Sequence, residues 1–158
     1  MCFQQNELSC TVKKENISEE AIDAIYKFSN GIPFYVHFIG RLLIRKSNGS
    51  NGNYHISRTD VEDAVNDFMS QEGNLIFSRD FNVLSAKERI ILKEMATCNL
   101  KAPSEIAKQT KEDGATISMY LGYLEEKAII IKKARGIYDF EDTIFKEWIK
   151  KNGEMNKK

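Results

Sequence analysis

Thr116, Met119 and Tyr123 recur at helical spacing within ATISMYLGYLEEKAI (115–129), so a helix there places them on one side, with Ser118 and Gly122 on its margins. Ile117, Leu121 and Leu124 fall on the opposite side and form an edge for packing. Cations gather around this helix: Lys101, Lys108 and Lys111 before it, and Lys132, Lys133 and Arg135 after it. Such groups contact phosphate oxygens and position a protein on a duplex. The helix face itself carries no Arg, Lys, Asn or Gln, the side chains that make bidentate contacts with base edges. Met119 and Tyr123 offer only apolar contact of the kind a thymine methyl accepts. The chemistry on offer is salt-sensitive contact with a polyanion and little reading of sequence. The alternative is that the lysines are ordinary solvated surface on a packing or protein-contact module.

Other chemistry finds fewer parts. Nucleophilic catalysis needs Cys or Ser beside His and an orienting acid. Cys98 lies far in sequence from both His37 and His55, and His37 sits inside an apolar stretch where a core role is expected. The three cysteines, Cys2, Cys10 and Cys98, are odd in number and lack metal-ligand spacing, so no metal site is expected. Glu19-Glu20 and Glu125-Glu126 are adjacent on helices and diverge. No catalytic residue is assigned.

The elements that would position the cationic groups can be read in order. A helix in NISEEAIDAIYKFSNG is capped by Ser18, has Ile22, Ile25, Tyr26 and Phe28 as its apolar side, and stops at Asn30-Gly31. Pro33 opens PFYVHFIGRLLIRK, apolar almost all round and so expected at the centre of its subdomain. A polar turn covers 47–54. Thr59 is expected to cap the next helix, with Val61, Ala64, Val65 and Phe68 on its face and Gly73 at its end. Residues 74–84 read as a linker, either a short helix or an extended connector, whose Phe77, Phe81 and Leu84 pack.

The second half opens with a capped helix over 85–97, with Ile90, Ile91, Met95 and Ala96 as its apolar positions. Pro103 and Ser104 start a short helix, Gly114 allows a tight turn, and the helix of 115–129 follows. AIIIKKARGIYDFED alternates and turns at Arg135-Gly136 as a two-stranded hairpin. A final helix carries Ile144, Phe145, Trp148 and Ile149, with Trp148 anchoring it. Three helices and a hairpin are the order of a winged helix-turn-helix. The fold expected is mainly α with a small β-hairpin: a lid-like helical bundle over 1–73, the linker 74–84, a winged helix-turn-helix over 85–151, and a basic tail over 152–158.

Composition sets the limits. The 158 residues are 42% hydrophobic and 29% charged, enough for a core and against disorder. Basic and acidic residues number 23 each, which excludes a binder driven by overall charge. The charge is unevenly placed: residues 1–84 hold 8 basic and 11 acidic groups, and residues 85–158 hold 15 and 12. No signal peptide is legible, and the longest apolar run, IPFYVHFIG, is too short to span a bilayer. A cytoplasmic protein without a membrane partner is expected.

The string SNGIPFYVHFIGRLL, a helix followed by a Gly-x-Pro turn and a very apolar helix, resembles the lid subdomain of archaeal ATPases of the STAND and AAA+ type. The resemblance continues through TDVEDAVNDF, the winged helix and GIYDFEDTIFKEWIKK, covering residues 17 to 151. It implies that Gly31 and Pro33 would lie against the adenine of a bound nucleotide, and that the winged helix packs on the ATPase core or touches DNA. Ile32 stands where the family commonly has a polar residue. No Gly-Lys-Ser or Gly-Lys-Thr phosphate loop and no Walker B strand occur in the chain, and too little precedes residue 17 for a nucleotide-binding sheet. The chain alone is therefore expected not to hydrolyse ATP, and ATP with Mg enters only with a core it lacks. It reads as a fragment, truncated paralogue or split gene product, whose exposed lid surface around Phe34, Phe38 and Ile39 would meet an ATPase core or a second copy. The other readings are a small winged-helix transcriptional regulator and a structural adaptor that binds no nucleic acid.

Overall fold

A computed structural model describes residues 16–48 and 54–152. Cys2, Cys10, most of the expected polar turn and nearly all of the expected basic tail lie outside the described residues. The chain is mainly helical with one two-stranded hairpin. Its elements are α1 (Glu19–Ser29), α2 (Pro33–Asn48), α3 (Arg58–Ser70), α4 (Glu72–Asn82), α5 (Ala86–Thr97), α6 (Pro103–Thr110), α7 (Gly114–Glu126), β1 (Ile130–Ala134), β2 (Ile137–Phe140) and α8 (Thr143–Asn152). They divide into two compact units, residues 1–65 and 66–158.

In the first unit, Ser18 Oγ accepts from the Ala21 N–H at 3.1 Å and starts α1. Asn30 and Gly31 take the left-handed conformation, with φ of 48° and 75°, and end it. The buried side of α1 is made of Ala21, Ala24 and Ser29, whereas Ile22 and Tyr26 are exposed and Ile25 and Phe28 are half-buried. This corrects the expected apolar side.

α2 is one-sided rather than central. It buries Tyr35, Ile39 and Leu43 and exposes Phe34, Val36 and His37, so His37 is not the core residue expected. Ile56 forms a parallel bridge with Ile17. The α3 cap is Ser57, not Thr59: the Ser57 N–H donates to Asp60 Oδ2 at 2.9 Å, and the Asp60 N–H points back to Ser57 Oγ. The buried Asp60 carboxylate also accepts from Lys46 Nζ and Tyr54 OH. Burial pushes its pKa up, but the bonds from Lys46, Tyr54 and Ser57 outweigh this and hold it below the ordinary range.

The second unit takes in the end of α3, from Asn66, and a tight corner between α3 and α4. Gly73 does not end α3; it lies inside α4 and is buried. A Cβ there would sit 2.9 Å from both the ring and the carbonyl oxygen of Phe68, so only glycine fits the corner without movement. Most of the stretch read as a linker is thus helix α4, which buries Phe77 and Phe81 against α8. Phe77 lies 5.2 Å from Phe145 and 6.0 Å from Trp148 between ring centroids. Trp148 is buried as expected, and its indole N–H donates to Asn74 Oδ1 at 3.1 Å.

Ser85 and Glu88 form a capping box that starts α5, where the sequence predicted a capped helix. Its core side is Ile91, Leu92, Met95 and Ala96; Ile90 is exposed, and Leu92 takes the buried place expected of Ile90. α6 starts at Pro103 and buries Ile106, and α7 buries Ile117, Leu121 and Leu124 completely. Each such fully buried aliphatic contributes about 1.5–3 kcal/mol through removal from water. The turn before α7 is not made by Gly114, which is the first residue of the helix; Lys111, with φ of 58°, is the left-handed residue there.

β1 and β2 pair antiparallel, with the buried Ile130 opposite the buried Phe140 and Ala134 opposite Ile137. Arg135 and Gly136 make the turn, where Gly136 adopts φ of 70°. Asp142 Oδ1 accepts from the N–H groups of Ile144 and Phe145 at 2.8 and 3.0 Å and so caps α8. Ile144, Phe145, Trp148 and Ile149 are all buried. Among the described residues, no helix is long and apolar enough to cross a membrane.

Candidate nucleic-acid interface

The helix α7 carries its three core residues on one side and leaves Met119 and Tyr123 47% and 44% exposed on the other. Thr116 and Gly122 are half-buried and Ser118 is exposed, so the face predicted from spacing exists. Its polar groups are less available than the sequence suggested. Thr116 gives its hydroxyl to Asp113 Oδ2 and its N–H to Asp113 Oδ1 at 2.9 Å. Ser118 Oγ donates to the Gly114 carbonyl at 2.8 Å. Both hydroxyls therefore serve the helix. Asp113 is the N-cap, and its bonds from Thr116 hold its carboxyl below the ordinary range, so a fixed negative charge stands at the start of α7. That charge offsets the positive end of the α7 dipole.

The expected cations fall into two groups. Lys132, Lys133 and Arg135 are exposed on β1 and its turn, and among the described residues none has a carboxylate partner. The pairing skips Lys133, because Lys132 lies opposite Tyr138 while Ala134 lies opposite Ile137. This bulge inserts an extra cation at the hairpin end. Lys132 Nζ also sits 5.9 Å from the centre of the Tyr138 ring. Lys108 and Lys111, on the last turn of α6 and just beyond it, are exposed without an ion-pair partner among the described residues.

Lys101 is different. Its Nζ donates to Asp139 Oδ2, and Lys146 Nζ approaches the same carboxylate at 3.5 Å. Its carbonyl also accepts from the Tyr138 N–H at 2.9 Å, which fastens the segment before α6 to β2. Burial pushes the Asp139 pKa up, but Lys101 and Lys146 outweigh it and hold the carboxyl below the ordinary range. Lys101 thus positions the hairpin and has little charge to spare for a phosphate. Lys146, Asp139 and Tyr138 were not singled out from the sequence; pairs separated by 38 and 7 residues leave no local pattern.

In the first unit, Gly31 and Pro33 lie at an exposed turn, and a Cβ on Gly31 would meet nothing within 4 Å. The Gly31 N–H points to Ser29 Oγ at 3.3 Å and the Ile32 N–H donates to the Ser29 carbonyl at 2.8 Å. These positions form open surface beside a shallow cleft lined by Phe34, His37, Phe38 and Arg41. Among the described residues, no group of His, Cys, Asp and Glu could hold a metal ion. Comparisons with known proteins bring no likeness: no family model, curated protein or solved structure matches the chain.

Proposed function

We propose that residues 85–151 form a non-catalytic winged helix-turn-helix that contacts duplex DNA through phosphates, with the hairpin as the principal contact. The chain would then be the lid and winged-helix portion of an ATPase of the archaeal STAND or AAA+ type, working with a nucleotide-binding core supplied elsewhere. The observation that carries the DNA reading is the hairpin end, where Lys132, Lys133 and Arg135 stand exposed with no carboxylate between them. The order α5, α6, α7 and hairpin supports the winged-helix reading. The α7 face, with its hydroxyls committed and Asp113 at its start, makes sequence-specific reading weak.

Fluorescence anisotropy with random duplex DNA at low and moderate salt tests this. Binding should weaken with salt, and replacing Lys132, Lys133 and Arg135 with Ala should lower affinity at least about tenfold and flatten the salt slope by about two to three. Lys101→Ala should change affinity less than about threefold, since its ammonium is held by Asp139. No binding at low salt would sink the DNA reading. A second reading, protein contact, is favoured by one observation: Met119 and Tyr123 are large, exposed and flanked by acidic residues. Loss of DNA binding on Met119→Ala with the hairpin intact would count against that reading.

A further inference from the structure

The outer arc of α2 joins aromatic rings to cations. At about 100° per residue, Phe34, His37, Phe38, Arg41 and Arg45 fall opposite the buried Tyr35, Ile39 and Leu43, with Ile44 at the margin. Phe34 is 54% exposed, His37, Arg41 and Arg45 are exposed, and Phe38 is half-buried. The helix contains no Asp or Glu, and among the described residues neither arginine has a carboxylate at ion-pair distance. Phe34, His37, Phe38 and Arg41 line the shallow cleft, which is about 280 Å³ in volume. The Phe34 and Phe38 ring centres are 6.2 Å apart, and the Arg41 guanidinium lies over the Phe38 ring at 5.1 Å.

The two kinds of group ask for a ligand that has both a flat face and an anion. Exposed rings and a guanidinium plane stack on planar groups, and the two arginines attract negative charge. A duplex offers phosphates but keeps the faces of its bases inside the stack, which leaves Phe34 and Phe38 unmatched. A membrane surface needs apolar residues along the whole helix, whereas here both rings lie in the first two turns and both arginines beyond them. Carboxylates of an acidic protein segment would meet the arginines but bring no flat face to the rings. Ile39, expected in this surface, is buried, so the arc holds no continuous aliphatic patch. A single strand supplies a base and a phosphate in every nucleotide. From Phe34 to Arg45 the arc is about 16 Å long, enough for a few of them.

We propose that this arc binds single-stranded nucleic acid, with bases stacked at Phe34 and Phe38 and phosphates drawn to Arg41 and Arg45. The Arg41 guanidinium serves both ends of the contact, stacking with its plane and donating from its edge. Stacking tolerates any base, so binding is neutral to sequence. With two rings and two arginines it is weak and sensitive to salt. The proposal does not rest on the duplex contact of the hairpin, which belongs to the other unit.

Fluorescence anisotropy with a labelled random single strand of about 12 nucleotides tests this. The full chain is used with Lys132, Lys133 and Arg135 replaced by Ala, so that the hairpin contributes nothing. In this background the strand should still bind at low salt, at least about tenfold tighter than a free nucleoside monophosphate. Phe34→Ala should weaken binding about fivefold or more, with an unchanged circular dichroism spectrum as the check on folding. Arg45→Ala should weaken it and lower the salt slope by about 0.7. Val36→Ala, exposed on another side of α2, should leave it unchanged. No binding of the strand in this background overturns the proposal, whatever the hairpin does with duplex. Binding that Arg45→Ala lowers but Phe34→Ala does not overturns it too, since attraction of anions alone would then account for it. Displacement of the strand by polyglutamate at equal charge gives the arc to an acidic protein segment, and a nucleoside monophosphate that binds as tightly as the strand gives it to a free nucleotide; either result overturns the proposal.

Discussion

The Lys127 ammonium, at the end of α7, donates to the carboxylate of Glu88 in the first turn of α5, 39 residues away in sequence. Glu88 is buried and also accepts from the Ser85 N–H at 2.8 Å, so one side chain caps α5 and fixes the end of the helix that leads into the hairpin. Glu88→Ala should cost about 2 kcal/mol in urea unfolding, through loss of the cap and the pair together. Lys127→Ala should cost about 1 kcal/mol, because Lys127 is half-exposed and Ser85 still serves the carboxylate.

The same carboxylate should set part of the acid response. Burial raises its pKa, but the bonds from Lys127 and Ser85 outweigh this and bring it below the ordinary 4.5. Since the folded value lies below the unfolded one, the contribution is complete above pH 4.5 and is lost as pH falls through the lower folded value. Urea midpoints should therefore fall below pH 4.5, and Glu88→Gln should start lower at neutral pH and fall less steeply. Equal slopes in the two proteins would mean that Glu88 does not drive the loss.

Two glycines should respond in opposite directions to the same change. In an open helix, Gly→Ala gains about 1 kcal/mol. A methyl added at Gly122 in α7 would meet nothing within 4 Å, so Gly122→Ala should raise the melting temperature. At Gly73 the added methyl would lie 2.9 Å from the Phe68 carbonyl oxygen, which belongs to the backbone and cannot swing aside. Gly73→Ala should lose about 1–3 kcal/mol. Differential scanning fluorimetry of both variants decides it, and stabilisation by both would mean that the corner yields.

Much of the helix order was legible because its signals are local. Ser18, Ser85 and Pro33 mark starts, Asn30-Gly31 marks a stop, and the period of Ile117, Leu121 and Leu124 places the α7 core side. What failed depended on neighbours. Nothing local says that Ala21 and Ala24, rather than Ile22 and Tyr26, are buried, or that Leu92 displaces Ile90. Gly73 looked like a stop because glycine usually is one; its real requirement is the nearness of Phe68. At the candidate interface, spacing placed Met119 and Tyr123 on the exposed side, whereas Thr116 is half-buried, and the loss of Lys101 to Asp139 comes from tertiary pairing across 38 residues.

Trp148 is the chain's one tryptophan and gives the second unit its own reporter. It is buried among Phe77, Phe81 and Phe145, and its N–H is held by Asn74 at 3.1 Å. Native emission should be blue-shifted and should move to the red on unfolding. Asn74→Ala leaves the indole N–H without this acceptor and should cost about 1–3 kcal/mol, shifting the urea midpoint read at Trp148. Asn74→Asp keeps an acceptor and should recover part of the loss at neutral pH.

The hairpin offers a test in the direction of gain. Asp139 is the carboxylate that neutralises Lys101 and, at 3.5 Å, Lys146. Asp139→Asn removes one negative charge from β2 while keeping an oxygen that both lysines can reach. If phosphates are the ligand, the nearby positive potential rises, and duplex affinity at low salt should increase a few-fold with a salt slope steeper by about one. The substitution also removes an ion pair, so the melting temperature should fall, and the titration belongs well below it. Unchanged affinity in a folded Asp139→Asn protein would mean that the hairpin lies away from the nucleic acid, whatever the basic residues of α6 contribute.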